Sequence, residues 1–155
     1  MIDRPQYLRA LRRWKDKQMI KVITGIRRCG KSTLLDLYKE YLKKNGVGDG
    51  QIVAVNFEDL ENEALQDYKA LYAYLSDRLC HGKMTYIFLD EIQKVEGFEK
   101  VVDSLYIKEN VDIYMTGSNS WLLSGELATL FSGRYIEIKM LPFSFAEFYK
   151  SQGGG

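Results

Sequence analysis

The sequence has few cysteines, a single histidine and almost no net charge. Its 155 residues include 2 Cys and 1 His, and 22 Lys and Arg against 21 Asp and Glu leave a formal charge of +1. Two cysteines are too few for a disulfide framework, and His81 has no second histidine at metal-ligand spacing. A charge so close to zero gives no overall attraction to nucleic acid or to a membrane surface.

Long apolar stretches are also lacking. No run approaches the roughly 18 residues that a membrane span requires, and the N-terminal stretch has no continuous apolar core of the signal-peptide kind. With 46% apolar and 28% charged residues, the composition is that of one ordinary globular domain. We therefore expect a cytoplasmic protein that does not associate with membranes.

The most informative stretch is residues 25–32, which read Gly-Ile-Arg-Arg-Cys-Gly-Lys-Ser. They fit the phosphate-binding pattern G-x-x-x-x-G-K-[ST] at every specified position. An apolar, β-branched run at residues 19–24 predicts a strand before the motif, and apolar residues at helical spacing from Leu34 to Leu42 predict a helix after it. Strand, glycine loop and helix are the context that this motif requires.

The chemistry of such a loop comes from its backbone. Glycines allow a tight turn with positive φ, and the free N–H groups at the helix start converge on an anion. We expect Lys31 to reach the β and γ phosphates and the Ser32 hydroxyl to bind a magnesium ion. For Cys29, an inert filler of the loop is favoured over a reactive thiol. The predicted cofactor-binding residues are Gly25, Ile26, Arg27, Arg28, Cys29, Gly30, Lys31, Ser32 and Thr33.

A second informative stretch is the apolar run that begins at Thr85 and ends abruptly in Asp90 and Glu91. It has the form of a Walker B element, in which the aspartate holds magnesium and the glutamate polarises the attacking water. One further strand and helix separate it from the phosphate loop. We therefore predict that Asp90 is a metal ligand and that Glu91 is catalytic.

Three other segments complete the pattern. Residues 1–18 predict a basic amphipathic helix whose cationic face is more often merely solvated than bound to nucleic acid or a neighbouring subunit. The acidic residues 58–61 fit either an approach to a metal or a solvated turn. Residues 65–80 predict a helix. The remaining predicted strands are residues 52–57, 111–116 and 135–138, with helices near residues 98–106 and 123–131.

Five apolar strands that alternate with helices predict a parallel sheet covered on both faces. Ligands of such sheets bind outside the carboxyl ends of the strands. The phosphate loop, the Asp90 and Glu91 pair and the polar residues Ser118 and Asn119 all lie at such ends. The sequence thus predicts that three polar elements meet at one edge of the sheet.

Together with Gly133 and Arg134 before the fifth strand, these motifs resemble those of an AAA-type P-loop ATPase over about residues 20–149. The prokaryotic group of predicted ATPases with a C-terminal domain of unknown function is the most similar. This resemblance implies a three-layer α/β/α fold with strand order 5-1-4-3-2, and ATP and Mg²⁺ as cofactors. It implies a catalytic sensor at Ser118 or Asn119. Arg134 would be an arginine finger that acts on the nucleotide of a neighbouring copy, although a turn and a surface salt bridge explain these residues equally well.

We expect residues 1–18 to form the N-terminal helix, residues 19–150 the ATPase core and residues 151–155 a flexible tail, with the usual helical lid and C-terminal region absent. The expected function is Mg²⁺-dependent ATP hydrolysis coupled to remodelling or regulation of an unknown protein partner. A nucleotide-gated binding module with little hydrolysis is the alternative. A helicase-like motor is a further one, suggested by the box from Asp90 to Gln93 and by the basic helix.

Overall fold

The computed structural model describes residues 4–26, 30–118 and 126–140. The strands are β1 (Ile20–Gly25), β2 (Ile52–Asn56), β3 (Thr85–Asp90), β4 (Val111–Ser118) and β5 (Tyr135–Lys139). The helices are α1 (Arg4–Arg13), α2 (Lys31–Lys44), α3 (Tyr68–Ser76), α4 (Phe98–Tyr106) and α5 (Glu126–Phe131), and short 3₁₀ turns span Asp49–Gln51, Leu60–Gln66 and Ile92–Lys94. None of the helices in these ranges has the length and apolarity needed to cross a membrane.

The five strands form one sheet in the order β2-β3-β4-β1-β5. Every neighbouring pair is parallel, and the register pairs Gly25 with Ser118 and Leu89 with Met115. Read from the other side, this is the expected order 5-1-4-3-2, which is confirmed. It puts β4 between the strand that leads into the phosphate loop and the strand that ends at Asp90.

Both faces of the sheet are covered, which explains why the strands are nearly continuous apolar runs. On one face, α2 packs Leu34, Tyr38 and Leu42 against the sheet, and α1 adds the fully buried Leu11. On the other face, α3, α4 and Phe131 of α5 pack against the alternate side chains of the strands. The predicted three-layer α/β/α architecture is therefore confirmed.

Both predicted boundaries of one helix were wrong. The helix predicted over residues 65–80 begins only at Tyr68, because the Asp67 side chain accepts a hydrogen bond from the Ala70 amide and caps it. It ends at Ser76. The acidic residues 58–61 enter a 3₁₀ turn in which Asp59 accepts a hydrogen bond from the Glu61 amide, as a capped turn does. The N-terminal helix covers Arg4–Arg13 within the predicted residues 1–18.

The amino edge of the sheet carries a buried set of hydrogen bonds, here called the amino-edge network. Lys21 and Asp112 form an ion pair at 2.5 Å with almost no exposure of either side chain. The Asp112 carboxylate also accepts hydrogen bonds from the Asp16 amide and the Tyr114 hydroxyl. Burial lowers the pKa of Lys21 and raises the pKa of Asp112, and their mutual attraction opposes both shifts. The network consists of Asp16, Lys21, Tyr38, Asp112 and Tyr114.

Candidate active site

The phosphate loop connects β1 directly to α2. Gly25 is the last residue of β1, Ile26 is half-exposed, and Gly30 precedes α2 with φ 102° and ψ 16°. A side chain at position 30 would be strained in this left-handed conformation, which explains the second glycine of the motif. Arg27, Arg28 and Cys29 lie outside the described residues, so their part in phosphate binding stays a prediction.

Lys31 lies in the first turn of α2 with its amine inside the loop. Its Nζ donates hydrogen bonds of 2.9 Å to the carbonyl oxygens of Gly25 and Ile26. The same atom is 3.5 Å from Oε2 of Glu91. The amine predicted to bind phosphates is thus buried between the loop and the predicted base.

Ser32 and Asp90 are in direct contact although they lie 58 positions apart in the chain. The Ser32 hydroxyl donates a hydrogen bond to Oδ2 of Asp90. These two oxygens are the hard ligands that Mg²⁺ prefers, and Mg²⁺ beside a phosphate usually takes few ligands from the protein. In the described ranges no group of three or more acidic, histidine or cysteine side chains is suited to a metal. Thr33, also predicted to bind cofactor, follows in the same turn with an exposed side chain.

Glu91 begins the turn after β3 with φ 59° and ψ 54°, a left-handed conformation that is unusual for a residue other than glycine. Its carboxylate accepts a hydrogen bond of 2.7 Å from Nε2 of Gln93. The amide oxygen of Gln93 is buried and accepts no hydrogen bond within the described part of the chain. The hydrogen bond to the Glu91 carboxylate therefore determines how the Gln93 amide is oriented.

Thr116 of β4 connects the two carboxylate residues and was not among the site residues predicted from the sequence. Its hydroxyl lies 2.5 Å from Oδ1 of Asp90 and accepts a hydrogen bond of 2.8 Å from the amide of Glu91. The signal available in the sequence was that β4 lies beside β3 in the expected strand order. Thr116 is the polar residue of β4 at the level of Asp90, one position after the pair of Leu89 and Met115.

The remaining predicted site residues fall in different places. Ser118 is the last residue of β4, largely buried and in register with Gly25, so it lies at the same edge as the loop. Asn119 lies outside the described residues. Arg134 precedes β5 at the opposite edge, where it forms a 3.1 Å ion pair with Asp103 and lies 5.2 Å from the ring centre of Tyr106. The structure brings together Lys31, Ser32, Asp90 and Glu91 but not Arg134.

Comparison with protein families agrees with the family resemblance of the sequence motifs. Residues 17–149, which include the phosphate loop, the Asp90 and Glu91 pair and Arg134, match the family described as AAA domain. The chain belongs to this family. Its AAA domain therefore has the fold of nucleotide-binding ATPases, as the resemblance in the sequence implied.

Two curated relatives of this AAA domain are themselves uncharacterized proteins. One, from Haemophilus influenzae, is 46% identical over 149 residues, which are 96% of this chain and 37% of the relative. The other, from Methanocaldococcus jannaschii, is 37% identical over 134 residues, which are 84% of this chain and 28% of the relative. The chain thus spans about a third of the length of these relatives.

Solved structures share the fold of the AAA domain at low sequence identity. A DNA polymerase III gamma subunit-related protein from Thermotoga maritima has a TM-score of 0.63 and 14% identity, covering 93% of this chain and 49% of that one. AMPPCP-bound DnaA from Aquifex aeolicus has a TM-score of 0.61 and 16% identity, covering 97% and 50%. The Drosophila ORC bound to DNA has a TM-score of 0.56 and 9% identity, covering 90% of each chain.

Proposed function

We propose that this AAA domain binds ATP with Mg²⁺ and hydrolyses it, and that turnover drives the remodelling or regulation of a protein partner. One observation carries the proposal: two pairs, Lys31 with Glu91 and Ser32 with Asp90, meet at the carboxyl edge of the sheet. An amine for phosphates, two hard oxygens and a carboxylate that can accept a proton are the groups that phosphoryl transfer to water requires.

Each residue has a distinct task in this proposal. The loop amides and Lys31 bind the phosphates. To do so, the Lys31 amine gives up its hydrogen bonds to the carbonyl oxygens of Gly25 and Ile26. Ser32 and Asp90 hold Mg²⁺, which when bound neutralises charge on the phosphates. Once Lys31 has turned to the phosphates, Oε2 of Glu91 is available to accept a proton from water, while Gln93 still holds Oε1.

A nucleotide-gated binding module with little hydrolysis is the second candidate. The ion pair between Lys31 and Glu91 favours it, because a base that stays paired with the lysine does not activate water. Both candidates predict nucleotide binding. They differ in whether bound ATP is turned over, so phosphate release separates them.

The test compares Glu91→Gln with Glu96→Gln, the same change at an exposed glutamate five positions away. Glu91→Gln is expected to lower turnover by about 100-fold or more, because a carboxamide cannot accept the proton. Binding of AMPPCP with Mg²⁺, measured by calorimetry, is expected to stay within about twofold, and Glu96→Gln is expected to match the original protein in both measurements. AMPPCP is a suitable probe because the DnaA neighbour binds it.

Lys31→Ala is expected to abolish AMPPCP binding, because the phosphates lose their cation. Full turnover by Glu91→Gln would remove the role of Glu91. Normal binding by Lys31→Ala would refute the phosphate site itself. Tight binding without phosphate release by the original protein would support the binding-module alternative.

A further inference from the structure

Thr116 is the one residue of the described site whose side chain forms a hydrogen bond with both Asp90 and Glu91. Its side chain is fully buried, and its single hydroxyl contacts a carboxylate oxygen of Asp90 and the backbone amide of Glu91. We propose that Thr116 is the positioning residue that fixes the metal ligand Asp90 and the base Glu91 relative to one another. This inference rests on the proposed hydrolysis of ATP at this site.

The direction of both hydrogen bonds follows from the chemistry of the groups. A backbone N–H can only donate, so the hydroxyl accepts from Glu91 and its one proton is free for Asp90. The Thr116 hydroxyl donates this proton in a hydrogen bond to Oδ1 of Asp90, while Oδ2 accepts one from the Ser32 hydroxyl. Thr116 therefore directs the other carboxylate oxygen, Oδ2, toward the side where Ser32 would share the metal.

The same hydroxyl stabilises the unusual backbone of Glu91. A non-glycine residue at φ 59° is disfavoured and persists only where neighbouring groups hold it. The Glu91 amide is buried and donates to the Thr116 hydroxyl, so removing that hydroxyl deprives the buried N–H of this acceptor. Thr116 thus holds the turn from which the Glu91 carboxylate contacts Lys31 and Gln93.

Thr85 provides a matched comparison at the opposite edge of the sheet. Like Thr116 it is fully buried, and its hydroxyl accepts a 2.8 Å hydrogen bond from a backbone amide, that of Cys80. Thr85 lies at the start of β3 and contacts none of the proposed site residues among the hydrogen bonds of the described chain. Replacing each threonine by valine therefore removes a similar buried hydroxyl, but only one change reaches the site.

The experiment compares Thr116→Val, Thr116→Ser and Thr85→Val. Thr116→Val is expected to lower kcat by about 10–100-fold and to raise the Mg²⁺ concentration for half-maximal turnover by about 10-fold, as removal of a group that orients a metal ligand does. AMPPCP binding in EDTA, which depends on the loop and Lys31, is expected to stay within about twofold. Thr116→Ser keeps the hydroxyl and is expected to retain at least about a third of kcat. Thr85→Val is expected to leave kcat and the Mg²⁺ dependence unchanged.

The inference is overturned if Thr116→Val turns over ATP normally with an unchanged Mg²⁺ requirement. It is also overturned if Thr116→Ser is as impaired as Thr116→Val, because packing of the methyl group would then be what matters. If Thr116→Val is insoluble, Thr116→Ala replaces it in the same comparison. If the original protein releases no phosphate, hydrolysis is refuted. The gain in AMPPCP affinity on adding Mg²⁺ then tests Thr116 separately: a gain that Thr116→Val retains overturns the inference, and its loss supports it.

Discussion

The two edges of the sheet use the same chemical groups in different ways. At the amino edge, Lys21 and Asp112 lie 2.5 Å apart with both side chains nearly inaccessible. At the carboxyl edge, Lys31 and Glu91 lie 3.5 Å apart and Glu91 is slightly more exposed. In the first pair, the Asp112 carboxylate also accepts hydrogen bonds from the Tyr114 hydroxyl and the Asp16 amide, so the protein itself supplies its partners. Lys31, in contrast, donates to loop carbonyl oxygens, and a ligand can replace these.

This difference separates a structural pair from the pair that we propose to be functional. Two buried charges stabilise a fold only when their partners are complete, and at the amino edge the partners all come from the protein. At the carboxyl edge the pairing is looser, and the same groups are those that phosphate and magnesium would need. Burial and charge alone would not have distinguished the two edges, but the completeness of the hydrogen bonds does.

The largest expected effect is the loss of stability when the amino-edge pair is broken. Asp112→Asn leaves the Lys21 amine buried without a countercharge, so we expect the free energy of unfolding to fall by about 3–5 kcal/mol. The double change Lys21→Met with Asp112→Asn removes the unpaired charge and should recover most of this loss. Denaturant unfolding followed by circular dichroism measures all of these values.

The matching change at the carboxyl edge sharpens the comparison. Lys31→Met is expected to lower the free energy of unfolding by about 1 kcal/mol or less. The reason is that Glu91 keeps its hydrogen bond from Gln93 when the lysine is removed. Equal losses for Asp112→Asn and Lys31→Met would refute the distinction between the edges. So would a double variant as unstable as Asp112→Asn alone.

A middle-sized effect is expected from Gln93, which donates a hydrogen bond to the Glu91 carboxylate at the carboxyl edge. Gln93→Ala removes the 2.7 Å hydrogen bond to Glu91, so kcat should fall by about 10-fold while AMPPCP affinity is kept. Gln51→Ala is the control, because Gln51 donates to the Met84 carbonyl at the amino edge. Steady-state phosphate release gives kcat and KM for both variants.

In a Glu91→Gln background, Gln93→Ala should cause no further loss, since its effect acts through the carboxylate. Independent losses that multiply in the double variant would argue that Gln93 acts elsewhere. An unchanged kcat in Gln93→Ala would argue that Glu91 is oriented without it.

The smallest effect is expected at the exposed pair of Arg134 and Asp103, where each side chain is more than a third exposed. Asp103→Ala should change the free energy of unfolding by less than about 1 kcal/mol, because solvent screens such pairs. Thermal melts with and without added salt measure this. If Arg134 does act on the nucleotide of a neighbouring copy, Arg134→Ala should lose turnover without losing stability. A large loss of stability would instead assign Arg134 to the fold.

The sequence predicted the strands better than the helices and the motifs better than their connections. The buried strands are continuous apolar runs, so their positions were correct to within about two residues. The helix at residues 65–80 was wrong because apolar spacing does not reveal that Asp67 caps a later start. At the site, Lys31, Ser32, Asp90 and Glu91 were predicted because the motifs specify them. Thr116 was not predicted to have a role, because it lies 26 positions from Asp90 and only folding brings the two together. Gln93 lies two positions from Glu91, but the spacing alone does not show that the turn points its amide at the carboxylate.

The sequence by itself determined the phosphate loop, the paired carboxylates and the alternation of strands and helices. These are local patterns, encoded within a few neighbouring positions and read from the spacing of side chains along the chain. Only the tertiary structure decided that Lys21 forms a buried ion pair with Asp112 and that the Thr116 hydroxyl contacts both Asp90 and Glu91. The contacts concerned span 91 positions for Lys21 with Asp112 and 26 for Thr116 with Asp90, and parallel pairing of distant strands alone brings such residues together.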